Sequence, residues 1–163
     1  MGNDNTNLRR YEDDLHVSGL AVVILGAWSV LKLIMEVVLE GQSVFKMDEF
    51  GDDEKLIAML VYGVIIFLVV AISLLIFAFH FFIGMNASKA ARGLPYKKGY
   101  YVCAIIMLVL SVLGIAAYYE EFKNLEEIDT TIASLLVDLT TIYVFFVVVI
   151  STNKIRKLKN NAK

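Results

Sequence analysis

The chain has 163 residues, of which 58% are apolar, whereas a soluble domain usually has about 45–50%. Its formal net charge of −2 is close to balance, so the total charge indicates no particular class of partner. Its single cysteine, Cys103, excludes an internal disulfide and a paired-cysteine redox centre.

The apolar residues are concentrated in four runs, each long enough to cross a bilayer. A spanning helix needs about 20 apolar residues, and a backbone in lipid has to satisfy its own hydrogen bonds, so the runs predict helices rather than strands. We therefore expect an all-α integral membrane protein, a single-domain bundle of four transmembrane helices with short flexible tails. The predicted spans are residues 17–39, 56–83, 100–119 and 131–151.

The first element follows a polar N-terminal segment, residues 1–16, which is rich in Asn and Asp. This composition favours a disordered start that becomes helical near Asp13 and Asp14, since Asp is a good residue at the beginning of a helix. The first apolar run is too long for the core of a signal peptide and has no small-residue cleavage site after it, so we expect it to stay attached.

The segments between the spans alternate in charge. The loops at residues 40–55 and 120–130 are acidic, whereas the loop at residues 85–99 and the tail after Thr152 are basic. Because Lys and Arg beside the spans are retained on the cytoplasmic side, the basic loop and both termini should be cytoplasmic. We expect a multi-pass protein of the cell membrane.

Small and polar residues recur along each span at alternating steps of three and four residues, the spacing of one helix face. In lipid, such residues mark the faces on which helices meet, so these lines should point into the bundle. The residues that define these seams are Ser29, Ser73, Ser111, Gly114, Ser134 and Thr141.

Lys32 and Asp138 are the ionisable residues that lie deepest in the predicted spans. At about 1.5 Å per residue, Lys32 lies about 22 Å from the cytoplasmic end of its span, and Asp138 about 10 Å from the external end of its own. Tyr62 and Tyr118 should lie at similar depth, with Glu36 above Lys32. A buried Lys32–Asp138 ion pair, a polar cavity open to the outside, and a Lys32–Glu36 pair that reaches outward all fit this pattern.

His16, His80 and Cys103 all fall near the cytoplasmic ends of the predicted spans. Imidazole and thiolate are ligands that zinc or copper accepts, but three residues on three helices without a spacing motif form only a weak candidate metal site. We therefore expect no metal and no cofactor.

The sequence has no phosphate-binding glycine loop and none of the common hydrolase or metalloprotease motifs. The leading hypothesis is thus a non-enzymatic protein that acts through helix–helix contacts, as an accessory or assembly subunit or as a homo-oligomer. The alternative is a small transporter or channel for a cation or basic solute, lined by Lys32, Asp138 and Tyr62. An enzyme acting on lipid comes third. The expected partners are the bilayer and another membrane protein or a second copy, with no nucleic acid.

Overall fold

The computed structural model describes residues 2–44, 52–118 and 128–161. Over these ranges the chain is all-helical, with four α-helices and no strand. The helices are α1 (Gly2–Val44), α2 (Asp52–Ala91), α3 (Tyr100–Gly114), which a 3₁₀-helix (Ile115–Ala117) follows, and α4 (Ile128–Asn161).

Three of these helices contain segments long and apolar enough to cross a membrane: Asn5–Met35, Ile57–Ala91 and Ser134–Asn161. They indicate a membrane protein and confirm that the apolar runs form helices. The third run differs from the prediction, because its α-helix ends at Gly114 and continues as the 3₁₀-helix. Glycine is a weak helix former, and the final turn of a helix often tightens in this way.

The terminal segments are helical where the sequence suggested disorder and flexibility. The first helix begins at Gly2, so the predicted start near Asp13 is wrong, and α4 continues to Asn161. Packing accounts for both extensions: Leu8 and Tyr11 lie against the hydrophobic core, and Ile155 is part of it. An apolar face that is buried by neighbouring helices stabilises polar sequence as helix.

The chain divides into two compact units, of which the first joins Met1–Leu25 with His80–Lys163 and the second is Gly26–Phe79. The first unit contains the core, and parts of all four helices contribute to this unit. Its most completely buried large side chains come from each of them: Leu15, Val22, Ile83, Tyr100, Phe145 and Val148.

Within the first unit, α1 and α2 approach each other at backbone contact. A Cβ atom on Gly19 would lie 2.8 Å from the carbonyl oxygen of Gly84 and 2.9 Å from the amide nitrogen of Ser88. No side chain fits in that space, and small residues are what allow two helices in lipid to come this close. Since His16 also contacts Ser88, the two helices run antiparallel here.

The end of α2 is a Schellman motif. The amide of Leu94 donates to the carbonyl of Lys89 at 2.9 Å, and the amide of Gly93 donates to the carbonyl of Ala90 at 3.3 Å. Gly93 has a φ of 69°, a left-handed conformation that glycine adopts without steric cost. Asn86 then accepts a 2.8 Å hydrogen bond from the amide of Lys97, which holds the turn toward α3 against α2.

The second unit, Gly26–Phe79, exposes most of its apolar side chains. Phe67 is 71% exposed and Leu74 is 65% exposed. Ser73 is buried, and its hydroxyl has no hydrogen-bond partner within the described residues. Exposed apolar side chains of this kind need lipid or another protein to cover them.

Candidate functional site

Within the described residues of the first unit, a cluster of polar side chains joins α1 to the end of α2. His16 Nδ1 lies 2.7 Å from Ser88 Oγ, and Arg92 Nη2 lies 2.7 Å from His16 Nε2. A guanidinium group can only donate, so Nε2 has to accept and the ring proton is on Nδ1, from which it is donated to Ser88. The contacts therefore select the neutral Nδ1–H form of the imidazole.

Helical spacing brings further charged residues to this place. Arg9, Glu12 and His16 follow one another at steps of three and four residues along α1, and Ser88 and Arg92 are four residues apart on α2. Residues at these spacings share one face of a helix. Because α1 and α2 are antiparallel, the two faces meet at the same end of the first unit.

Glu12 connects this cluster to α4. Its Oε1 atom lies 2.9 Å from Nζ of Lys159, and the two side chains are 26% and 48% exposed. Exposed ion pairs of this kind contribute only about 0–1 kcal/mol to stability. The contact therefore matters more for the arrangement of charge than for holding the helices together.

An open cleft of about 370 Å³ lies within this cluster, which we call the junction cleft; it is lined by Arg9, Glu12, Asp13, His16, Ala91 and Arg92. Two guanidinium groups face it, with Lys159 paired to Glu12 beside it. Three cations thus stand against two carboxylates, while the imidazole is neutral. The cleft has the charge and hydrogen-bonding groups to hold a small anion.

Two separate polar contacts join α4 to α3 and to Tyr118, which follows the 3₁₀-helix. The hydroxyl of Tyr118 donates to the carboxylate of Asp138, and Tyr100 Oη lies 3.0 Å from Thr152 Oγ1. Tyr118 and Tyr100 are only 5% and 1% exposed. These two contacts show that α3 and α4 are antiparallel, and at 1.5 Å per residue they lie about 21 Å apart along α4.

The structure brings together two of the five residues predicted for a polar cavity, Tyr118 and Asp138. Lys32 and Tyr62 belong to the second unit, and the side chain of Glu36 lies outside the described residues. Lys32 and Asp138 are in different units, so their predicted pairing stays a prediction.

The predicted seam residues differ in their surroundings. Thr141 is buried, and its hydroxyl donates to the carbonyl of Val137 at 2.9 Å. Gly114 is exposed, with nothing within 4 Å of the position that a Cβ atom would take, so it marks no helix contact within the described chain. Ser29, Ser111 and Ser134 are partly buried, and Ser73 is buried.

The three residues of the weak candidate metal site each contact other groups of the protein. His16 binds Ser88 and Arg92, and the His80 ring packs against Phe145 with 5.5 Å between the ring centroids. Cys103 is partly buried against the core. Within residues 2–44, 52–118 and 128–161, no group of three His, Cys, Asp or Glu residues could hold a metal ion.

The junction cleft was not predicted from the sequence, although the spacing of four residues near the N-terminus could have indicated it. The residues at positions 9, 12, 13 and 16 lie on one side of a helix, but only if the N-terminal segment is helical. Comparison of the chain with protein-family models, with curated proteins and with solved structures gives no match.

Proposed function

We propose that the chain is a multi-pass protein of the cell membrane that acts through helix contacts, either as a homo-oligomer or as an accessory or assembly subunit. In this proposal a single domain crosses the membrane four times. The shortest span is α3 with its 3₁₀-helix, which together cover about 28 Å at 1.5 and 2.0 Å per residue, close to the thickness of the hydrocarbon core.

The proposed topology has both termini on the cytoplasmic side. Support comes from charge and from contacts, since His16 meets Arg92 and Glu12 meets Lys159. The start of α1, the end of α2 and the end of α4 are therefore close together in the first unit. The basic loop and the basic end of α4 fit the cytoplasmic side of a membrane.

The observation that carries the proposed mode of action is the filled interior of the first unit. Tyr100, Phe145 and Val148 are at most 1% exposed, and Ala104 is fully buried. Polar side chains between these helices, such as Tyr100 and Thr152, bond to each other. A centre filled in this way favours a role in assembly over a pathway through one copy.

Photo-crosslinking in native membranes tests this proposal. A photoreactive amino acid at Phe67, which is 71% exposed, should give a discrete product of higher mass that contains either a second copy or one partner protein. The matched control is the same amino acid at Phe145, which is fully buried and should give no such product. The probe should also be placed at Ile66 and Leu68, which are exposed and lie about 100° to either side of Phe67, so that different faces of α2 are sampled.

The contrary result would be crosslinks to lipid alone from all three exposed positions, together with a monomeric mass. Cation flux in sealed vesicles containing that monomer, abolished by Asp138→Asn, would instead support a small transporter. A filled interior makes such flux from one copy unexpected.

A further inference from the structure

We propose that the junction cleft binds the phosphodiester headgroup of a phospholipid that carries a hydroxyl or ammonium donor. The inference rests on the proposed membrane topology, because that topology places the cleft at the cytoplasmic ends of the spans. Basic pockets between helices at this level are where lipid headgroups bind.

The charge of the cleft matches one phosphodiester. Arg9 and Arg92 line it, and Lys159 stands beside it against Glu12, so these three cations face the carboxylates of Glu12 and Asp13. One positive charge remains, since His16 is held as the neutral imidazole. A single phosphodiester carries one negative charge and would neutralise this remaining positive charge.

Arg92 is the residue best prepared to bind phosphate. Its Nη2 atom is fixed at 2.7 Å from the neutral ring of His16, a contact that orients the guanidinium without cancelling its charge. The guanidinium has further N–H donors in the same plane, a geometry that matches two oxygens of a phosphate. His16 is in turn oriented by Ser88, so the arrangement is built before any ligand arrives.

The carboxylates of the cleft indicate that the headgroup carries a hydrogen-bond donor as well as the phosphate. Asp13 lines the same cleft and is exposed to it, and it can accept hydrogen bonds from a glycerol hydroxyl or an ethanolamine ammonium group. A choline group has no such donor. The volume of about 370 Å³ lies within the usual range for small-molecule sites, about 300–1,000 Å³.

Native mass spectrometry of the full chain in detergent tests the inference. The protein is titrated separately with phosphatidylglycerol, phosphatidylethanolamine and phosphatidylcholine, and in parallel with inorganic phosphate and glycerol phosphate, and the bound molecules are counted. We expect Arg9→Gln and Arg92→Gln each to weaken phosphatidylglycerol binding by at least about tenfold, as for the loss of one charge-assisted hydrogen bond.

The matched control is Arg156→Gln. Arg156 lies in the last turns of α4, near Lys159, but it stacks over the ring of Tyr101, 4.5 Å from its centroid, and does not line the cleft. This variant should bind phosphatidylglycerol as the wild type does. Asp13→Ala provides a second readout, because it removes the acceptor and should reduce the preference for the glycerol and ethanolamine lipids over the choline lipid.

Thermal unfolding of each variant shows whether weaker lipid binding comes from a changed cleft or from a protein that no longer folds. Because the side chain of Asp13 is exposed, its replacement should leave the fold intact. Equal binding of all three lipids, or equal effects of Arg92→Gln and Arg156→Gln, would overturn the proposal. So would binding of inorganic phosphate or glycerol phosphate at the cleft without any lipid binding, which would identify a soluble ligand. Failure of the crosslinking experiment leaves this measurement unaffected, because lipid binding is measured on the protein in detergent.

Discussion

At the scale of single residues, Gly19 and Gly84 determine how closely α1 and α2 can approach. A methyl group on Gly19 would stand 2.8 Å from the backbone oxygen of Gly84, which cannot rotate away as a side chain could. The helices would have to separate, and the contacts beside them, including that between His16 and Ser88, would change.

We therefore expect Gly19→Ala to lower the free energy of unfolding by about 1–3 kcal/mol, the usual cost of overpacking. The control is Gly63→Ala, since Gly63 is also inside a helix but has nothing within 4 Å of its Cβ position. That change should stabilise the helix by up to about 1 kcal/mol. Unfolding of the detergent-solubilised variants by titration with SDS measures both; equal stability of the two would contradict the close approach.

The second residue-scale prediction concerns the hydrogen bond between Tyr118 and Asp138. Tyr118→Phe should lower the free energy of unfolding by about 1.5–3 kcal/mol, because it removes a donor to a charged acceptor. Tyr143→Phe makes the same chemical change at a side chain that is 67% exposed and should have little effect. The same SDS titration compares them, and similar losses for both variants would mean that the bond contributes nothing specific.

At the scale of elements, α1 shows why apolar length and helix length are different quantities. A run of apolar residues reports how much helix lies in hydrocarbon, whereas the helix itself continues as long as neighbours cover one face. Leu8, Tyr11 and Leu15 recur at helical spacing and pack on the core, although most residues between them are polar. This short apolar stripe is the sequence feature from which a helical N-terminal segment could have been predicted.

The corresponding prediction is that Leu15→Ala destabilises the first unit. Leu15 is 1% exposed, so its truncation leaves a cavity and should cost about 2–5 kcal/mol. Val17→Ala is the control, because Val17 is close by but 65% exposed. Limited proteolysis in detergent should also show faster cleavage of residues 2–16 in Leu15→Ala only. Unchanged stability would mean that the N-terminal turns of α1 are not packed on the core.

At the scale of the whole molecule, the sequence predicts where helices form but does not predict which helix faces pack together. Apolar runs predict helices because lipid permits little else, and helical spacing identifies polar faces such as the one with Thr141. Spacing does not say which face meets which. Tyr118 and Asp138 were predicted at one depth, but that Tyr118 donates to Asp138 depends on the antiparallel packing of α3 on α4, which is a property of the fold.

The side of the membrane on which the basic loop lies is the most direct test of the proposed topology. The measurement is labelling of intact cells with an impermeant thiol reagent, in a Cys103→Ser background that carries one new cysteine. A cysteine at Asn124, in the acidic loop, should be labelled, whereas one at Lys98, which is exposed in the basic loop, should be labelled only after the cells are opened. Labelling of Lys98→Cys on intact cells would contradict the topology, and the cytoplasmic placement of the junction cleft with it.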